Sequence, residues 1–265
     1  FGIEVPKSVA DAEKIDQENG NTLWMDALQK EIGNVRIAFE VLQEGDGLPV
    51  GYQKIDTHCV WDVKFGTLRR KCRLVADGHK TKDPDVQTYA SVVSRDTVRI
   101  ALTIAALNDL NVMQADIRNA YLNALCEEKI WTILGPEHGA ELEGKLALIV
   151  RALYGLKSAA AAHRNHLASG LEHIGFKSCR GDPDLWYCPN VKSNGSEIYE
   201  YLLVYTDDLL VIGLNPRDVL RKVDKYFKLK PESITEPDVC LGAKIRKVMV
   251  DTDAYAWAQS SAGYV

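Results

Sequence analysis

The sequence predicts an α+β fold. Strand-like runs come in neighbouring pairs joined by turn residues, as antiparallel hairpins require. Helical stretches fall between these groups without the regular strand–helix alternation of a doubly wound sheet. Two apolar runs, Leu202-Leu203-Val204 and Leu209-Leu210-Val211-Ile212, frame Tyr205-Thr206-Asp207-Asp208, which reads as two short strands meeting at an acidic turn.

Residues 1–46 read as an acidic helical segment, with ten acids against four bases. A first helix starts at Ser8 and reaches Glu18. Thr22 is placed to cap a second, with Trp24, Leu28, Ile32 and Val35 at helical spacing. Gly45-Asp46-Gly47 breaks the chain. Residues 52–76 read as strands around a Phe65-Gly66-Thr67 turn. Ser94 caps a helix over 96–109, with Val98, Leu102, Ala105 and Ala106 on one face.

Val112 to Ile117 reads as a strand closing on Asp116, followed by a short helical piece over 119–125. Strands are predicted over 129–134 and 146–150, and a helix over 158–174 ended by Gly175. Strands over 185–188 and from 198 enclose a turn at Asn194-Gly195. Asn215 is placed to cap a helix from Pro216 to Phe227. Strands over 239–248 and 254–258 follow, and the stop at Val265 marks the sequence as a candidate fragment.

With 46% hydrophobic and 26% charged residues, the composition predicts a packed core and excludes disorder. Net charge is −5, which argues against a uniformly basic nucleic-acid binder. Basic charge is instead local. Residues 64–82 hold seven Lys or Arg and one acid, Asp77, a pattern that suits a groove. The six cysteines form no C-x-x-C pair and no zinc spacing, so they read as reduced thiols. The N-terminal residues lack a signal pattern, and no apolar run nears the ~20 residues of a membrane helix. The expectation is a soluble intracellular protein.

Asp207-Asp208 is the sharpest chemical feature. Adjacent carboxylates between apolar strands repel each other and resist burial. A bound divalent cation offsets such a cluster, and oxygen-only ligands point to Mg²⁺ or Mn²⁺. Asp116 is the best third carboxylate, because it too ends an apolar strand. Asp182 and Asp184 flank Pro183 and read as turn residues. His163, His166 and His173 share one helix and read as a polar face.

At these residues the sequence resembles the reverse transcriptase domain of copia-type long-terminal-repeat retrotransposons. The resemblance rests on seven segments in order: 23–28 (LWMDAL), 70–78 (RKCRLVADG), 91–95 (SVVSR), 114–123 (QADIRNAYLN), 153–157 (LYGLK), 205–208 (YTDD) and 241–245 (LGAKI). It implies a right-hand polymerase with palm and fingers, an antiparallel sheet and a thumb absent or truncated. The fingers would cover about 47–110 and 125–152, and the palm about 111–124 and 153–250, all within a 47–265 polymerase region. It implies RNA-directed DNA polymerase activity, with two Mg²⁺ (or Mn²⁺) ions on the catalytic residues Asp116, Asp207 and Asp208.

Lys71 and Arg73 would grip the incoming deoxynucleoside triphosphate, from one face of a strand whose other face carries Cys72 and Leu74. Tyr121 would lie under the nucleotide sugar and exclude a 2′-hydroxyl. Tyr154, Gly155 and Lys157 would meet the nucleotide and template, and Leu241-Gly242 would form the primer grip. The implied partners are an RNA or DNA template-primer, the dNTP, and the RNase H and integrase parts of a longer Pol polyprotein. The implied location is the cytoplasm, in virus-like particles of an active element. Three departures stand out: Ser158 and an alanine run replace a Trp-containing segment, Thr206 replaces Val, and Asp77 replaces Lys or Gly. They leave open a non-catalytic remnant that binds nucleic acid. A metal-dependent nuclease is the other rival, disfavoured by the lack of His or Glu beside the Asp cluster.

Overall fold

The computed structural model describes residues 2–64, 66–252 and 254–260; Phe65 of the expected turn lies outside them. The fold is mixed α+β. In chain order the first elements are α1 (Val9–Glu18), α2 (Leu23–Val35), β1 (Phe39–Val41), β2 (Gln53–Lys54), β3 (Thr57–Lys64) and β4 (Arg69–Ala76). Then come α3 (Arg95–Leu107), β5 (Asn111–Asp116), β6 (Ile130–Ile133), β7 (Leu146–Ile149), α4 (Ala159–His173), β8 (Lys177–Ser178) and β9 (Leu185–Val191). The last are β10 (Glu197–Tyr205), β11 (Asp208–Gly213), α5 (Pro216–Asp224), β12 (Val239–Cys240), β13 (Ala243–Asp251) and β14 (Ala254–Ser260). No helix among the described residues is long and apolar enough to cross a membrane. The chain divides into two compact units, residues 1–89 with 121–163, and residues 90–120 with 164–265.

The first unit holds a four-stranded sheet, β1-β7-β6-β2, and the separate β3–β4 hairpin. Residues 39–41 were expected within a helical segment but form β1, because Phe39, Glu40 and Val41 pair with Ile149, Leu148 and Ala147. Tertiary pairing here overrides local preference. Thr22 precedes α2 as expected, yet its side chain makes no capping bond to the backbone. The carboxylate of Asp16 caps the helix instead, accepting from the Trp24 and Met25 amides at 2.9–3.1 Å. Trp24 packs edge-on against Trp61 of β3, with ring centroids 5.9 Å apart. Ser158 lies just before α4, where its amide and hydroxyl both donate to buried Glu128, at 2.9 and 2.7 Å. Ala159 and Ala162 of the alanine run are buried in one apolar cluster with Leu153 and Leu156.

The second unit is built on a five-stranded antiparallel sheet, β5-β11-β10-β9-β8. Its central strands are continuously apolar because both faces are covered. Leu202, Val204, Leu209 and Val211 point to a cluster with Leu167 and Leu171 of α4 and Val219, Leu220 and Val223 of α5. Leu203, Leu210 and Ile212 point the other way, to Val98, Leu102 and Ala105 of α3. Period-2 alternation thus supplies both layers from one run. Each fully buried Leu or Ile contributes about 1.5–3 kcal/mol of transfer free energy. The strand expected over 239–248 is interrupted. Leu241 (φ 50°) and Gly242 (φ 73°) form a tight turn that separates β12 from β13.

Three side chains have surroundings or partners that the sequence did not predict. Asp184 lies in the expected turn, closed by the Leu185 amide donating to the Asp182 carbonyl at 3.0 Å, but is buried at 2% exposure. It accepts from Arg164 Nε at 2.8 Å and from the Ser91 hydroxyl. The Asn215 side chain caps no amide of α5, although its carbonyl accepts from the Asp218 amide at 3.0 Å; its side-chain amide donates to the Asp218 carboxylate at 2.6 Å. His163, expected on a polar face, is buried, with its ring 5.7 Å from that of Tyr121 in the first unit.

Candidate active site

The strand pairing that builds the second unit's sheet also gathers its acids. In the β5–β11 pair, Asp116 stands directly opposite Asp208. Cross-strand partners have Cβ atoms about 4.5–5.5 Å apart on the same face. In the β10–β11 hairpin, Asp208 is also the register partner of Tyr205, so Thr206 and Asp207 make a two-residue turn. Thr206 takes φ 56°, in the left-handed region. The Asp207 carbonyl accepts from the Ile117 amide at 2.8 Å, fastening the turn to the end of β5. Residues 116, 207 and 208 therefore meet at one end of the sheet.

Like charges placed opposite one another in a sheet are destabilising. The cost is visible at Asp208. Desolvation, then the charges of Asp207 and Asp116, push its carboxyl up to about 6, while Lys230 opposes the rise. Lys230 Nζ lies 2.6 Å from Asp116 Oδ1. The Asp116 amide donates to Ser233 Oγ at 2.9 Å. A cavity of about 90 Å³ abuts the pair, lined by Asp116, Asp208, Gln114, Leu203 and Cys240 among others. Desolvation and the Asp208 charge push the Cys240 thiol up to about 11. An open cleft of about 540 Å³ is bordered by Asp208, Tyr205, Arg95, Leu241 and Gly242. The sequence-predicted primer-grip residues thus share a cleft with one of the predicted catalytic acids.

As donors, the three carboxylates suit a hard divalent cation: all are oxygen ligands, and their mutual repulsion calls for positive charge. They are not drawn together into a finished cage. Among the described residues no group of three or more His, Cys, Asp or Glu side chains is already arranged to hold a metal ion. One Asp116 oxygen is engaged by Lys230.

The other predicted residues gather in the first unit. On β4, Lys71 and Arg73 alternate with buried Cys72 and Leu74. The Arg73 guanidinium lies 5.1 Å from the Tyr154 ring centroid. Tyr121 packs on the same ring, with centroids 4.8 Å apart. The Tyr154 carbonyl accepts from the Ala76 amide at 2.7 Å, which ties this segment to the end of β4. Lys157 Nζ donates to the Thr81 carbonyl at 2.8 Å and to Asp83 at 2.7 Å. Asp77, whose acidity departs from the basic stretch around it, is held ionised mainly by its hydrogen bond from Lys80; His58 Nδ1 also lies 2.8 Å away. Sequence reasoning missed Lys230 and Ser233, and it named Tyr205 and Arg95 only within motifs, without a site role. Nothing local distinguishes Lys230 from the neighbouring Lys225 and Lys228.

The chain belongs to the reverse transcriptase (RNA-dependent DNA polymerase) family, whose model matches residues 43–253. Its relatives are Pol and Gag-Pol polyproteins of copia/Ty1-type retrotransposons. It is 29% identical over 190 residues to the retrovirus-related Pol polyprotein from transposon RE1 of Arabidopsis thaliana, covering 69% of this chain and 12% of that protein. It is 31% identical over 178 residues to the corresponding polyprotein from transposon TNT 1-94 of Nicotiana tabacum, covering 63% of this chain and 13% of that one. The transposon Ty1-BL Gag-Pol polyprotein of Saccharomyces cerevisiae is 29% identical over 161 residues, covering 58% and 8%. The chain thus spans about an eighth of the length of the plant relatives. Among solved structures, a foamy viral protease–reverse transcriptase in complex with double-stranded DNA matches with TM-score 0.48 and 16% identity, over 85% of this chain and 34% of that one.

Proposed function

We propose that the chain is the RNA-directed DNA polymerase part of a Pol polyprotein, transferring a nucleotide from a dNTP to a primer 3′-hydroxyl on a nucleic-acid template. The observation that supports this most is the direct cross-strand pairing of Asp116 with Asp208 beside the Asp207 turn. In this reading the sheet of the second unit is the palm, and the β3–β4 hairpin belongs to the fingers. Asp116, Asp207 and Asp208 would hold two Mg²⁺ or Mn²⁺ ions. When bound, these supply positive charge at the attacking and leaving oxygens.

The remaining work is positioning. Lys71 and Arg73 offer cationic donors on one strand face for the triphosphate, Arg73 as a planar fork. Stacked against Tyr154, the Arg73 head is held ready for that contact. Tyr121 supplies a flat apolar wall for the nucleotide sugar, favouring a deoxyribose. Tyr154, Gly155 and Lys157 take the nucleotide and template side. Leu241 and Gly242, on the cleft with Asp208, support the primer end. Other Pol segments, such as RNase H and integrase, would be covalent partners in the full polyprotein, working in the cytoplasm within virus-like particles.

The test is extension of a labelled DNA primer on an RNA template. The expected result is dNTP incorporation that requires Mg²⁺ or Mn²⁺ and stops on chelation. Template-primer binding without incorporation would instead favour a non-catalytic remnant. Primer degradation in Mg²⁺ without nucleotides would favour a nuclease.

A further inference from the structure

We infer that Lys230 is a built-in counter-ion of the acidic cluster, which occupies a cation position beside Asp116 and must yield it when a divalent ion binds. The inference rests on the cation-site reading of Asp116, Asp207 and Asp208 given above. Its basis is geometric. Lys230 reaches Asp116 at 2.6 Å, with the two side chains 36% and 28% exposed. A lysine on a free loop loses much side-chain entropy on making such a pair, and exposed pairs are correspondingly weak. This one is carried by a fixed backbone.

The segment carrying Lys230 runs along β5, the open edge of the sheet. Ile117 bridges to Leu229 and Gln114 to Thr235. The Lys230 amide donates to the Asp116 carbonyl at 2.9 Å, and the Arg118 amide to the Lys228 carbonyl at 2.8 Å. Ser233 closes the loop, accepting from the Asp116 amide and donating to the Lys230 carbonyl at 2.7 Å. Asp116 and Lys230 are thus locked to each other through both main chain and side chain.

The consequence is a competition. Without a divalent ion, three carboxylates at one sheet end repel each other, and the ammonium group offsets part of that repulsion. A divalent ion at the same carboxylates gains from the same negative charge and is opposed by the ammonium group. Lys230 therefore stabilises the empty site and weakens cation binding. Its yielding needs only a side-chain rotation, because the main-chain bonds of the segment do not involve Nζ.

Thermal melting of the full chain in EDTA and across a Mg²⁺ or Mn²⁺ titration, at matched ionic strength, tests this. Lys230→Met is expected to melt below wild type in EDTA. The divalent concentration giving half-maximal stabilisation should fall about fivefold. Lys230→Arg keeps the charge and should need at least as much divalent ion as wild type. An unchanged half-maximal concentration in K230M overturns the inference, and so does a K230R variant that shifts as K230M was expected to. Asp208→Asn serves as control and should lose the divalent shift. If D208N alone loses it while wild type and K230M respond identically, the cation site stands and the counter-ion role fails. If no protein responds to either ion, the cation site fails and takes the counter-ion role with it.

Discussion

Asp208→Asn is expected to cut RNA-templated primer extension by about a thousandfold or more, and at the same time to raise the melting temperature at neutral pH. The first effect follows from removing a charged oxygen donor where charge develops in the reaction. The second follows from the cost of keeping Asp208 ionised. Its carboxyl is pushed up to about 6 by desolvation and by Asp207 and Asp116. Between the ordinary carboxylate range near ~4 and about 6, the folded chain binds more protons at this site than the unfolded chain, so stability falls as pH rises. The penalty is absent below that window and complete above it. Asp208 is only partly withdrawn from solvent, so screening reduces the penalty to about 1 kcal/mol. Melting curves at pH 4 and pH 7.5 should show the Asn variant gaining on wild type only at the higher pH. A variant destabilised at pH 7.5, or one that still extends primers, contradicts the account.

Gly155→Ala is expected to cost about 3 kcal/mol or more of stability in the first unit. Gly155 sits at φ 90°, where a side chain is strained. A Cβ there would run into the Ala76 carbonyl oxygen and lie 2.7 Å from Val75 Cγ1. Neither neighbour is free to move far, because the Ala76 amide is bonded to the Tyr154 carbonyl. Relief would require parting the segment from β4, which would also part Tyr154 from Arg73. Denaturant unfolding of the chain measures the loss. A change below about 1 kcal/mol would mean that this close approach carries little strain.

Much of the site was legible because its residues interrupt strong local patterns. Asp116 ends one apolar strand and Asp208 begins another, and the alternation of Lys71 and Arg73 with Cys72 and Leu74 is a period-2 signal that the structure retains. The register that sets Asp116 opposite Asp208 was not legible, since it is chosen by packing between segments about ninety residues apart. Distance in sequence also hid β1, whose partner lies at residues 147–149, and Lys230, whose partner is Asp116. Asp184 does lie in the turn expected beside Pro183, but its burial was not legible. Its ion pair with Arg164 depends on a helix that sequence reasoning placed but could not dock. The caps show a subtler limit. Thr22 and Asn215 stand at the right helix starts, but their side chains bond Asp26 and Asp218 rather than backbone amides.

The claim on which the rest depends is that the sheet end bearing residues 116, 207 and 208 collects divalent cations. Anomalous scattering from crystals grown with Mn²⁺, primer-template and a dNTP measures this directly. Manganese is expected within about 2–2.5 Å of carboxylate oxygens of Asp116 and Asp208, with Lys230 Nζ displaced from Asp116. Manganese bound elsewhere, with the Lys230–Asp116 pair intact, would contradict it.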